Sequence, residues 1–224
     1  MRWHRSVGWR PRDLGWRVAL LFMVGSTLFA VGSFPPYAVF VDARVVGVTF
    51  FVGSLFFTSA GYSQFLQVVN DGRDRFRFWG WEPKQLLWWA TLVQLVGTLF
   101  FNLNTFRAMA GRFTVSDVNG LVWAPDFFGS IAFLVASHLG WLAVCGRLWR
   151  VERESADWWT ALLNYLGSIF FMLSAIGAFT LDTGSLLNAS AANSGTFLGA
   201  ICFFLGAYLL LPAAVSRPSV GSGP

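Results

Sequence analysis

Charge is what this sequence has least of: Asp, Glu, Lys and Arg make up only 12% of 224 residues, while 55% are hydrophobic. That balance is not the one a soluble domain carries. None of the long apolar runs has a Lys, Arg, Asp or Glu at its middle, which counts against proton relays and ion-coupled transporters, since those functions place charges there. His138 lies deep in an apolar run, but no second His, Cys or carboxylate stands at ligand spacing from it, so no metal site is expected. Only two cysteines occur. Cys145 and Cys202 fall at opposite depths, roughly 20 Å apart by helix rise, too far for a disulfide. A nucleotide-binding loop, a Ser-His-Asp arrangement and a Gly-rich phosphate cradle are all missing. The chain is therefore not expected to be an enzyme, and no cofactor is implied.

What the chain does have is apolar length. Runs long enough to cross a hydrocarbon core of about 30 Å cover approximately 18–34, 45–69, 86–104, 127–147, 159–180 and 195–213. Lipid offers no partner to open backbone groups, and no alternating barrel pattern appears, so helices are the form these runs must take. The expected fold class is an all-α membrane protein with six transmembrane helices. Its flanks are a basic, Trp-bearing interfacial segment at 1–17 and a Ser-, Gly- and Pro-rich tail at 214–224, expected to be disordered. A basic start before an apolar run can also be a cleaved signal peptide, but the first run carries the motif described next and is expected to be retained.

Lys and Arg alternate between the connecting segments. Thirteen lie on one side (Arg2 to Arg17, Arg73 to Lys84, Arg147 to Arg153, and Arg217), against Arg44, Arg107 and Arg112 on the other. The excess marks the cytoplasmic side, which puts both termini in the cytoplasm. The net charge of +5 is then a topology signal, and no nucleic-acid partner is expected. The tryptophans crowd the same side, where they suit the headgroup level. Between Asn70 and Gln85, Arg73, Arg75 and Arg77 alternate with Asp74, Phe76 and Phe78, giving a strip that either lies on the membrane surface or docks a partner.

Each run also contains a Gly followed four places later by a Phe: Gly25 and Phe29, Gly53 and Phe57, Gly97 and Phe101, Gly129 and Phe133, Gly167 and Phe171, Gly199 and Phe203. The residue after the Gly is Ser or Thr in five of the six, and small or medium-sized residues stand seven places on (Gly32, Ala60, Asn104, Ala136, Ser174, Gly206). Positions i, i+4 and i+7 share one helix stripe. Membrane helices associate by close packing rather than a hydrophobic drive, and small residues allow it. In an antiparallel hairpin, the Gly of one helix is expected to face the small residue seven on in its partner, with the two Phe rings at one level. Equivalent glycines are 72 and 70 residues apart in odd spans and 76 and 70 in even ones. The implied unit is a two-helix hairpin used three times in tandem (about 18–69, 86–147 and 159–213), with the copies in parallel orientation about an axis along the membrane normal.

The hairpins, and in particular Trp88-Trp89-Ala90-Thr91-Leu92-Val93-Gln94-Leu95-Val96-Gly97-Thr98-Leu99-Phe100-Phe101-Asn102 and Gly129-Ser130-Ile131-Ala132-Phe133-Leu134-Val135-Ala136-Ser137, resemble the YrhK-like domain of small bacterial integral membrane proteins. The resemblance covers most of residues 18–211. It implies a multi-pass protein of the bacterial inner membrane with no established activity, and it carries over no catalytic or ligand residue.

The candidate polar cluster inside the spans is Gln94, Asn102, Asn104, Asp126, His138, Asn164 and Thr196. Gln94, Asp126, Asn164 and Thr196 all stand three residues before a motif Gly. They form either two levels of a solute path or hydrogen bonds between helices, with Asp126 and Pro125 opening the fourth span as an N-terminal turn. His138 points away from the Gly-Phe stripe and is expected to be neutral and bonded to a neighbouring helix; pH sensing or a cofactor contact is the alternative. Two functions follow. The first is a structural or partner-binding membrane protein with a packed Gly/Phe core, surrounded by lipid and associated with another membrane protein or with copies of itself. The second is a small channel or carrier for an uncharged or weakly polar solute, lined partly by Gln94, Asn102, Asn104 and Asn164. Whether those amides meet on one axis or pair off between helices separates the two.

Overall fold

Each apolar run satisfies its own backbone by coiling into a helix. The computed structural model describes residues 8–111, 113–146 and 151–211. The expectations placed on Arg2, Trp3, Arg5, Arg112, Arg147, Arg150, Arg217 and the tail 214–224 lie outside the described residues. Within these bounds the chain is helical and has no strand. The order is α1 (Leu14–Ser33), the short α2 (Pro35–Phe40), α3 (Ala43–Asn70), α4 (Leu86–Ala110), the single turn α5 (Val115–Val118), a π-helical turn (Asn119–Trp123), α6 (Ala124–Cys145), α7 (Ala156–Gly177) and α8 (Ala189–Leu210). Six helical runs are long and apolar enough to cross a membrane: α1, α3, α4, the continuous run Val115–Cys145, α7 and α8. The first described residues, the 71–85 loop, the 151–155 segment and the end of α8 all lie at one end of the bundle, together with Arg10, Arg12, Arg17, Arg73, Arg75, Arg77, Lys84 and Arg153. This is called the basic end below.

The three helices that start at the basic end start alike. Asp13 caps α1 by accepting from Gly15 N at 2.8 Å, Ser155 caps α7 by accepting from Trp158 N at 3.3 Å, and Gln85 holds the same place before α4 without a side-chain bond. Three residues past the cap, Trp16, Trp88 and Trp158 turn inward and are buried. One residue later the side chain folds back onto the carbonyl six positions earlier: Arg17 Nε donates to Pro11 O at 2.6 Å, Trp89 Nε1 to Pro83 O at 3.0 Å and Trp159 Nε1 to Arg153 O at 2.8 Å. Each bracket fixes the angle at which the loop enters its helix. The crowding of Trp at this end is thus partly structural.

Consecutive spans pack on one another, and α8 returns to α1, which closes a six-membered ring. Within the pairs α1/α3, α4/α6 and α7/α8 the helices meet at the motif glycines. A methyl group added at Gly25 would lie 2.9 Å from Phe57 Cδ2 and 3.1 Å from Gly53 O; at Gly53 it would lie 2.9 Å from Phe29 Cδ2. Gly97 stands in the same way against Phe133 (2.7 Å) and Gly129 against Gly97 O (3.2 Å) and Phe101 (3.3 Å). Methyl groups added at Gly167 and Gly199 would lie 3.1 and 3.0 Å from each other's carbonyls and against the partner's Phe203 and Phe171. The expectation that each Gly faces the small residue seven on is therefore corrected: it faces the partner's Gly and Phe. The small residue seven on instead meets the residue three before the partner's Gly. Gly32 gives room to the Phe50 ring, a methyl group added at Gly206 would lie 3.0 Å from Asn164 Oδ1, and Ser174 bonds Thr196 at 2.7 Å.

The six motif Phe rings converge on the ring's axis. Phe29, Phe57, Phe101, Phe133, Phe171 and Phe203 are each between 1 and 5% exposed. Their centroids lie 5.3 Å (Phe29–Phe57), 5.1 Å (Phe101–Phe133) and 5.2 Å (Phe171–Phe203) apart within pairs. Between pairs, 5.6 to 6.4 Å links such as Phe133–Phe203 and Phe29–Phe101 complete the layer. Edge-to-face contacts predominate, as the ring quadrupole favours. The residue after each Gly turns instead to the neighbouring pair and is fully buried. Ser54 bonds Thr105 at 3.0 Å, and Ser168 bonds Ser137 at 2.7 Å and Phe133 O at 3.2 Å. At the closing seam between α1 and α8, Ser26 has no partner among the described residues and faces the pair whose equivalent residue is Ala200.

One span differs from its sequence reading. Asp126 and Pro125 do not open the fourth span, because the helical run begins at Val115, capped by Thr114, whose hydroxyl accepts from Asp117 N. Pro125 has no N–H, so it cannot donate to Leu121 O, and the helix widens to a π turn just before it, with Ala124 N donating to Asn119 O. Arg107 Nη1 donates to Leu121 O at 3.2 Å and Asn104 Nδ2 to Val122 O at 2.9 Å. Two side chains from α4 thereby satisfy carbonyls around the bulge.

Candidate polar cavity at the basic end

From the Phe layer towards the basic end, α4 and α6 face each other through small residues, Ala90 and Gly140 among them, and the bundle holds a cavity of about 230 Å³. Gln64 of α3, Gln94 of α4, Ser137 and Trp141 of α6, and Thr160 and Asn164 of α7 line it. A methyl group added at Gly140 would meet nothing within 4 Å. A second hollow of about 280 Å³, which shares Gln64, Leu87 and Thr91 with the first, adds Gln67, Asp71 and Gln85 and leads on to the loop 71–85. The polar side chains thus continue from the inner cavity to the surface of the basic end.

The sequence-derived cluster divides. Gln94 and Asn164 come together in this cavity, and neither side-chain amide makes a hydrogen bond among the described residues. The others do not join them. Asn102 Nδ2 donates to Thr58 Oγ1 at 2.8 Å across the α3/α4 seam, and Asn104 is held at Val122 O. Thr196 pairs with Ser174 and donates to Ala192 O at 3.0 Å. Asp126 is half-buried beyond the Phe layer, on the far side from the cavity. His138 lies beside the Tyr165 ring with centroids 6.0 Å apart and has no hydrogen bond to a neighbouring helix among the described residues, which corrects that expectation.

Several cavity residues were missed by the sequence reading. Gln64 belongs to an apolar run, yet its Oε1 is buried without a hydrogen-bond partner among the described residues. Thr160 Oγ1 is buried and likewise has no partner among the described residues. A signal was present: Gln64, Gln94, Thr160 and Asn164 all fall within a turn or two of a helix end at the basic side. Also missed were two ties at the opposite end. Asn119 exchanges hydrogen bonds with Thr180, donating from Nδ2 to its carbonyl at 2.7 Å and accepting from its N–H at 3.0 Å, and Trp123 Nε1 donates to Ala175 O at 2.8 Å. These bind the π turn to the end of α7. Cys145 and Cys202 form no disulfide among the described residues, and no group of three or more metal-binding side chains occurs among them. In comparison with known proteins, the chain matches no family model, no curated protein and no solved structure.

Proposed function

We propose that this multi-pass membrane protein is a packed scaffold that binds a membrane partner or further copies of itself, and that it conducts no solute. The observation that carries this reading is the closed Phe layer. Six buried rings occupy the axis of the ring of helices, and beyond them the polar side chains pair off between helices instead of facing a path. A carrier would have to part these rings with every cycle. The tandem hairpins belong to the same proposal and are supported by the three like brackets at the starts of α1, α4 and α7 and by the like Gly-Phe contacts within three helix pairs. So does kinship with the YrhK-like proteins, supported by the quoted motifs. Placement of both termini in the cytoplasm of a bacterial inner membrane is supported by the collection of Arg and Lys at one end. A candidate partner face is the loop Asp71–Lys84, where Phe76, Phe78, Trp79 and Trp81 are all more than half exposed.

Two measurements test this. Proteoliposomes should pass glycerol and urea no faster than protein-free vesicles, and faster flux refutes the closed-axis reading. Native mass spectra of protein released gently from its own membrane should show a stoichiometric second protein or a homo-oligomer. A lone chain in every preparation refutes the binding role.

A further inference from the structure

Buried polar atoms without partners are costly, about 1–3 kcal/mol each, and lipid cannot offset the loss. Gln64 Oε1 and Thr160 Oγ1 are two such atoms among the described residues, and both residues line the same inner cavity. The free amides of Gln94 and Asn164 join them there. Asp157, exposed on the first turn of α7, also lines the cavity and forms no ion pair among the described residues. The Trp141 ring supplies one wall, and no Lys, Arg or His takes part in the lining. Acceptor oxygens at the interior, a carboxylate at the mouth and an indole face together complement a compact cation with several N–H donors. An anion would find no cation here.

We propose that this cavity binds a primary ammonium group, entering from the basic end, with Gln64, Thr160 and Asn164 accepting its N–H bonds and Asp157 balancing its charge. At about 230 Å³ the space matches about eight water molecules at the roughly 30 Å³ each occupies in the liquid, so the ligand is a small amine or the headgroup of an ethanolamine lipid. Val144 in the wall is 41% exposed, which leaves a lateral approach for such a headgroup. The proposal goes beyond the scaffold reading and does not depend on it: the flux assay reports on the Phe layer, and the binding assay on the cavity.

The test uses the full chain in phosphatidylcholine nanodiscs, with radiolabelled n-butylamine as probe in equilibrium dialysis. Saturable binding of one molecule per chain is expected, displaced neither by n-pentanol nor by butyrate. Gly140→Leu, which projects into the open space, and Asp157→Asn should each weaken binding by about tenfold, equivalent to about 1.4 kcal/mol, while leaving the ligand-free unfolding midpoint in place. Replacing part of the lipid with phosphatidylethanolamine distinguishes the two sources. Loss of butylamine binding assigns the site to the headgroup, and unchanged binding assigns it to a free amine. The proposal is overturned if no saturable binding occurs through millimolar amine, if pentanol competes equally, or if both variants bind as the parent does.

Discussion

Replacing Phe57 by Ala is the sharpest probe of the core. Phe57 is 2% exposed, and its ring contacts those of Phe22, Phe29, Phe133 and Phe203 at centroid distances of 5.7, 5.3, 6.3 and 6.0 Å. In water the loss would include transfer of the ring out of solvent. Here separated helices are solvated by lipid, which is as apolar as the core, so that component nearly cancels. What remains is the void. A deleted ring leaves roughly 100 Å³, and at about 24 cal/mol per Å³ the cost is about 2.4 kcal/mol. The same truncation at Leu99, 53% exposed on the outer face, exchanges protein–lipid contact for lipid and should cost under about 0.5 kcal/mol. Reversible unfolding in mixed micelles with increasing SDS measures both. Equal losses at the two positions, or a loss at Phe57 within 0.5 kcal/mol of zero, would refute the view that an interlocked Phe layer stabilises this bundle.

Three further outcomes are expected. Gly199→Leu should prevent the α7/α8 pair from closing, since any Cβ there collides with Phe171 and sits 3.0 Å from Gly167 O; protease protection of α8 in micelles reports it, and it should contrast with Gly140→Leu, which retains protection. Ser174→Ala removes the bonds to Ala192 O (2.6 Å) and Thr196 and should cost about 1 kcal/mol in the same SDS titration, with Thr196 still bonded to Ala192 O. For orientation, single cysteines introduced at Ser155 and Asp182, in a background with Cys145 and Cys202 changed to Ser, should react with a membrane-impermeant maleimide from opposite faces. Ser155 should be labelled only after the cytoplasmic side is opened, and labelling of both in intact cells overturns the assigned topology.

The spans were legible because a bilayer imposes one dominant condition, apolar length, and α3 and α4 begin within two residues of where that length places them. Edges failed where another rule governed. The fourth span begins about twelve residues early because Pro125 reads locally as a helix start, and only the tertiary bonds from Arg107 and Asn104 reveal that the chain absorbs it in a π turn. The sixth begins at Ala189, in a stretch of Ala, Ser, Asn and Gly too polar to be read as a span. Those small residues are needed where α8 comes close to α7: Gly195 lies so near Phe170 O and Ser174 that an added methyl would fall within 2.9 Å of both. The Gly-Phe motif announced a packing face, but its register came from three-dimensional pairing. Of the polar candidates, Gln94 and Asn164 were found from their shared position, whereas Gln64 and Thr160 could be recognised only once the surrounding helices showed that their oxygens lack partners.

The closed ring also bears on how the chain could be rewired. Because α8 returns to α1, Trp16 and Ala19 at the start of the bundle are buried against Leu211 at its end. The seam between last and first spans is packed like those between the other pairs, although Ser26 lacks the hydroxyl partner that Ser54 and Ser168 have at theirs among the described residues. Chain order is then nearly interchangeable with circular order. A circular permutant that links Leu211 to Gly8 through a flexible tether and opens the chain in the exposed loop at Arg75 keeps every inter-span contact and both ends on the same side. Such a permutant should insert and resist SDS like the parent, whereas a break placed between α7 and α8 would part the Gly167–Gly199 contact from its covalent neighbour and leave the new ends on the opposite face.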